Sequence, residues 1–197
     1  MFTFAAAVFL LIITPGPGVL TTAGVGAAYG YRIGLSYVLG LFLGTNLVAF
    51  AVISGFAAFV LNIPPVRLVL SVLSFGYLCY LAAKIAFAGS KLAFIRATGP
   101  PNVTKGILLQ IINPKAYAVN TALYTGFAFY PDNWMIEVSA KFVISNLIWI
   151  PIHLLWLWAG VSLTRLNLSE HTQRLINYAM AAALMGVVSL AIWSAQT

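Results

Sequence analysis

Six apolar runs, each about as long as a bilayer is thick, follow one another through this chain with only short polar segments between them. They cover about Phe2 to Ala28, Leu35 to Leu61, Val66 to Ala88, Gly106 to Tyr130, Trp134 to Leu163 and Leu175 to Trp193. A hydrocarbon core needs about 20 apolar residues per helix, and in lipid every backbone amide must find its partner inside its own segment. The expected fold class is therefore an all-α integral membrane protein, a single domain of six transmembrane helices. Only 7% of the 197 residues are charged, against roughly 25% in a soluble domain. The net charge of +7 does not read as a nucleic-acid footprint, because the basic residues are scattered at the ends of apolar runs instead of clustered on one surface. The first run has no basic residue ahead of it and reads as a retained span, not a cleaved leader. The lone Cys79 excludes an internal disulfide and reads as a packed thiol.

Orientation follows from the cations. With the connector between the third and fourth runs on the cytoplasmic side, that side holds Arg32, Lys84, Lys91, Arg96, Lys105, Arg165 and Arg174, while Arg67 and Lys141 fall on the other. This positive-inside bias places both termini outside.

Two of the runs carry breaks. Thr14-Pro15-Gly16-Pro17-Gly18 interrupts the first and Asn113-Pro114-Lys115 the fourth. Prolines remove amide donors and glycines loosen the backbone; such backbone survives at membrane depth only where it is buried in protein or lines a cavity. Pro15 and Pro114 are 99 residues apart, and Asn46 and Asn146, in the second and fifth runs, are 100 apart. Three spans per half invert the second half relative to the first. The expected organisation is thus two inverted three-helix repeats, residues 1–98 and 99–197, with a substrate site near the midplane at the paired breaks, the arrangement of many secondary transporters.

The chemistry expected there is anion binding. Lys115 lies on the order of 14 Å inside the cytoplasmic edge at about 1.5 Å per residue, too deep for easy snorkelling, and an ionisable group at that depth marks a functional site by default. The bland alternative is that it bonds the carbonyls freed by Pro114. The half-helix after each break adds unpaired N–H groups and a positive dipole end. Candidate substrate-binding residues are Pro15, Gly16, Pro17, Gly18, Asn46, Asn113, Pro114, Lys115 and Asn146. Gln110 and Asn120 read as interhelical hydrogen-bonding amides. His153 is a candidate proton handler, with a structural imidazole as its alternative. Gly26, Gly30, Gly34, Gly40 and Gly44 read as close-packing faces, with a homodimer interface as their alternative use. Trp149, Trp156 and Trp158 read as packing residues. No motif calls for a metal or other cofactor. His153 with Lys115 is the one thin pairing an enzyme could use, so catalysis is disfavoured.

Four stretches in order resemble the LysE/RhtB family of amino-acid exporters, and the likeness runs from end to end. They are Thr14-Pro15-Gly16-Pro17; Gly30-Tyr31-Arg32-Ile33-Gly34 with Gly40 and Gly44; Gly76-Tyr77-Leu78-Cys79-Tyr80-Leu81 with Lys84; and Asn113-Pro114-Lys115-Ala116. The resemblance implies an exporter of amino acids or related metabolites in a bacterial inner (plasma) membrane, driven by the proton gradient; alternating access would come from one set of helices rocking against the other. Two positions depart from the family pattern. Ala82 stands where a glycine is frequent, and Asn146 stands where many members carry an acid. The second departure argues against lysine or arginine as substrate and favours neutral amino acids. The implied partners are a small amino-acid-like molecule and the lipid bilayer, with no nucleic acid. The competing expectation is a membrane scaffold that uses its glycine faces for partner binding and needs no polar midplane.

Overall fold

The computed structural model describes residues 1–61, scattered positions between 63 and 87, residues 101–163, 166 and 168–194. Of the expected third span, Val66 to Ala88, only scattered positions are described, and most of the connector that follows lies outside the described residues, as do Arg67, Lys84, Lys91, Arg96 and Arg165. Every regular element among the described residues is helical: α1 Phe2–Ile13, α2 Pro17–Ile53, α3 Phe56–Leu61, α4 Val103–Ile112, α5 Pro114–Thr125, α6 Trp134–Leu163 and α7 Glu170–Ser194. Among them, α2 and α6 are long and apolar enough to cross a bilayer.

The expected first and fourth spans are each cut in two. Thr14 ends α1 with ψ 129° and Gly16 is extended before Pro17 opens α2. A residue preceding proline is driven out of the helical region, and proline itself is preformed for the first helical position. Asn113 (φ −82°, ψ 107°) serves both halves of the fourth span. It is the C-terminal cap of α4 and the N-terminal cap of α5, its side-chain Oδ1 accepting from Lys115 N at 3.1 Å.

The long α2 contains a reversal. Gly30 has φ 76° and ψ −175°, values open to glycine and strained for other residues. Tyr37 Oη donates to Thr21 Oγ1 at 3.0 Å although the two are 16 residues apart. In an unbroken helix they would be about 24 Å apart, so the segments before and after Gly30 must lie side by side. Gly30 is therefore the corner of the α2 hairpin, not a packing glycine as expected, and the loop between the first two spans shrinks to it. The second expected span stops earlier than Leu61. It ends at Ile53, and a turn at Ser54–Gly55 (φ 75° at Gly55) precedes the short α3.

The other glycines set the helix contacts. A Cβ on Gly40 would collide with the Val103 carbonyl, and one on Gly44 would lie 3.0 Å from Ile107 Cα. The contact advances along both helices together, so α4 runs parallel to the second limb of α2. Against α6 the sense reverses: Phe42 meets Trp149, Asn46 meets Asn146, and Phe50 meets Phe142. Gly160 packs its face directly on the Ala23 carbonyl, and Gly26 packs on that of Leu157. These small residues let backbones approach where lipid gives no hydrophobic drive between helices. Val25, Tyr37, Leu41, Leu109 and Leu157 form the core of this junction, while Phe4, Val8 and Leu123 form a second cluster between α1 and α5. Outward, α2 shows Leu39, Leu43 and Leu47 and α6 shows Val143 and Leu147, the apolar exterior that a bilayer accommodates.

Met1 Sδ accepts from Tyr130 Oη at 3.8 Å. The N-terminus and the segment linking α5 to α6 therefore share one end of the molecule. That segment is clamped by Glu137, whose Oε2 accepts from Phe129 N at 2.9 Å and Tyr130 N at 2.7 Å. Glu137 Oε1 in turn pairs with Lys141 Nζ at 2.8 Å, and Lys141 also donates to Tyr124 O at 3.0 Å. Lys141, read from the sequence only as a topological charge, is among the most deeply buried side chains.

Candidate functional site

Both breaks open onto one cavity between the helices. The ends of α1 and α4, the starts of α2 and α5, the second limb of α2, and the middle of α6 surround it. Gly16, Gly18, Asn46, Asn113, Lys115, Asn146 and His153 line it. Pro15, Pro17 and Pro114 do not. They shape the backbone at the breaks, where Pro17 and Pro114 each open the following helix.

Lys115 sits one residue into α5, at the end of its own helix where the dipole is positive and repels a cation. Its side chain reaches across to the other break. Nζ donates to Thr14 O at 2.5 Å, the carbonyl left at the negative end of α1. The expectation that it would satisfy carbonyls freed by Pro114 is thus replaced by a bond to the opposite half of the chain. Gly16 makes room for this reach, since a Cβ there would lie 2.8 Å from Lys115 Cδ and 3.2 Å from Nζ. The Gly16 backbone is extended, at φ −163°, so space and not conformation calls for glycine.

Asn46 and Asn146 face each other and exchange two hydrogen bonds, Asn46 Nδ2 to Asn146 Oδ1 at 3.1 Å and Asn146 Nδ2 to Asn46 Oδ1 at 3.0 Å. Each also donates one turn back along its own helix, to Phe42 O at 2.8 Å and Phe142 O at 2.9 Å. Both N–H groups of each amide are used. The pair is neutral and self-satisfied.

His153 is buried and stacks on Trp149, the ring centroids 3.5 Å apart and the planes at 13°. Its Nδ1 lies 3.0 Å from Trp149 O. A carbonyl can only accept, so Nδ1 carries the proton and Nε2 is left as the acceptor. Nε2 faces Gly18, where a Cβ would lie 3.6 Å from it and 3.7 Å from Gln110 Nε2.

Sequence reasoning passed over several residues of the wall. Gln110, expected to bond between helices, accepts from Asn113 Nδ2 at 2.8 Å and lines the cavity. Asn120 lines it too, its Nδ2 donating to Ala116 O at 2.8 Å. Ser145 Oγ is buried without a well-formed hydrogen bond, next to the Tyr124 hydroxyl. The four-residue spacing of Ala116, Asn120 and Tyr124, once the break fixed the start of α5, was the signal available for Asn120. Trp149, read as packing, both packs and forms the wall. Among the described lining residues Lys115 is the one strong cation, and none carries a carboxylate.

A polar cavity at paired helix breaks, set in helices with apolar exteriors, marks a membrane transport protein. The chain belongs to the LysE type translocator family, whose model matches residues 9–194. No curated protein and no solved structure matches it. Membership makes it a multi-pass membrane translocator of small molecules and points to the export of amino acids or related compounds.

Proposed function

We propose that this protein exports a neutral amino acid, or a closely related small carboxylate, across the bacterial inner membrane by alternating access. The observation that carries the reading is the Lys115 ammonium, set between the two breaks at 2.5 Å from Thr14 O in a cavity whose described lining residues include no carboxylate. A substrate carboxylate would pair with Lys115 and with the N–H groups opening α2 and α5, where helix dipoles favour negative charge. The amides of Asn46, Asn113 and Asn146 would orient it, and Gly16 and Gly18 would let it approach the backbone. With no acid among the described lining residues, a second positive charge on the substrate would find no partner there, which disfavours lysine and arginine.

The architecture proposed with this function is six spans in two inverted halves, residues 1–98 and 99–197, with both termini outside. The matched breaks, the antiparallel Asn46–Asn146 crossing and the shared end of Met1 and Tyr130 support it. The proton gradient would drive export, with His153 as the group that handles the proton.

Lys115→Ala tests the reading. Losing a charge-assisted hydrogen bond of about 1.5–3 kcal/mol corresponds to roughly a 10- to 150-fold loss. Amino acids in the medium, profiled with and without the protein, should fall to the level of cells lacking it, while the variant still inserts and elutes from detergent as a single species. Undiminished export by a properly inserted Lys115→Ala protein would remove the proposal.

A further inference from the structure

We infer that Lys115 is also a bar that locks the empty carrier, with Gly16 as the residue that positions it, and that a bound carboxylate withdraws the bar. The inference rests on the reading that Lys115 takes the substrate carboxylate. The bond from Lys115 Nζ to Thr14 O joins residues 101 apart. It ties the start of α5 to the end of α1, and so one proposed half of the transporter to the other, across the cavity. It is the one hydrogen bond its ammonium makes among the described residues.

The electrostatics explain why the bar sets itself in the absence of substrate. At the N-terminal end of α5 the ammonium is misplaced relative to its own helix dipole, and the carbonyl end of α1 is the nearest favourable site. The stem lies in the space left by the missing Gly16 Cβ, 2.8 Å from where that atom would be, so a glycine at this position aims the lysine at Thr14. A carbonyl carries a partial charge and a carboxylate a full one, so the ammonium is drawn more strongly to the carboxylate at the same distance. A substrate carboxylate entering between the breaks therefore outcompetes Thr14 O for the ammonium. The empty carrier is held, and the loaded carrier is released to turn over. The second link across the cavity, Asn46 with Asn146, is neutral and internally satisfied and offers an anion no such exchange.

The test uses the full-length protein with Cys79→Ser and a Thr45→Cys reporter in the cavity wall, in membrane vesicles of both orientations and without added amino acid. A membrane-impermeant maleimide reports how often the empty cavity opens to each side. Lys115→Met and Gly16→Ala should each raise labelling from the slower side at least fivefold. Gly16→Ala keeps the charge and only displaces it, so its effect isolates the bar. Leu147→Ala trims the outward face of α6 and leaves both the bar and the cavity wall intact; it should label at the parent's rate. Parental labelling rates in Lys115→Met and Gly16→Ala overturn the inference, and so does an equal acceleration by Leu147→Ala, which would mean general loosening. The two readings fail separately: export retained by Lys115→Met sinks the carboxylate partner, and unchanged labelling sinks the bar.

Discussion

Replacing Asn46 by leucine tests the amide pair that joins α2 to α6. The substitution is close in volume and removes both reciprocal bonds, at 3.1 and 3.0 Å. Asn146 would keep its bond to Phe142 O but would lose a partner for its second N–H and for its carbonyl oxygen. Interhelical hydrogen bonds in membrane proteins average about 0.6 kcal/mol and reach about 1.7, so two bonds give an expected loss of about 1–3 kcal/mol. Asn146→Leu should cost about the same. The double variant removes the same two bonds once, so it should cost little more than either single change, leaving a coupling energy of about 1–3 kcal/mol. The assay is unfolding in mixed micelles by titration with sodium dodecyl sulfate, followed by tryptophan fluorescence, for the four proteins of the cycle. Additivity within about 0.5 kcal/mol, as for independent sites, would refute the idea that the two amides act as one unit.

Three further outcomes are expected. Gly160→Ala drives a methyl into the Ala23 carbonyl, where backbone must move, and should destabilise by about 1–3 kcal/mol in the same titration; a neutral result would contradict the close α2–α6 approach. Lys141→Met should lower the melting temperature more than Glu137→Gln, because glutamine still offers an oxygen to the Phe129 and Tyr130 amides whereas methionine leaves Glu137 without its cation; the reverse order would show that the clamp does not depend on the lysine. An N-terminal tag and a Tyr130→Cys thiol on a Cys79→Ser background should both be reached by impermeant reagents from outside the cell, and protection of either would exclude the proposed orientation.

The helical character and the two breaks were legible because each has a local cause. Hydropathy gives the length of an apolar run, and Thr14-Pro15 and Asn113-Pro114 end a helix whatever surrounds them. The meeting of Asn46 with Asn146 could be suspected from their spacing. What Lys115 touches could not be read locally, since Thr14 comes within reach only when two distant helix ends dock. Gly30 shows a related ambiguity. In a row of glycines spaced four apart, nothing local separates the one that turns the chain from those that receive a neighbouring backbone. Gln110 and Asn120 were read as bracing helices, but the bonds they make are local, Gln110 to Asn113 and Asn120 to Ala116, and which face of α4 or α5 meets the cavity depends on how Gly44 and Gly106 seat their helices. Glu137 and Lys141 were four residues apart in the order that favours pairing on a helix; that signal was present and was read only as topology.

The two breaks differ in how much slack they contain. Thr14, Pro15 and Gly16 leave three residues outside regular helix, whereas Asn113 alone separates α4 from α5 and caps both. A joint of one doubly tethered residue behaves as an elbow set at a fixed angle, so α4 and α5 must travel as a single bent lever. The looser joint in the first span has room to swivel, and proline and glycine there define where the pivot lies. Any hinge motion at the site would therefore fall at the first break, between α1 and α2, with α4 and α5 moving as one piece.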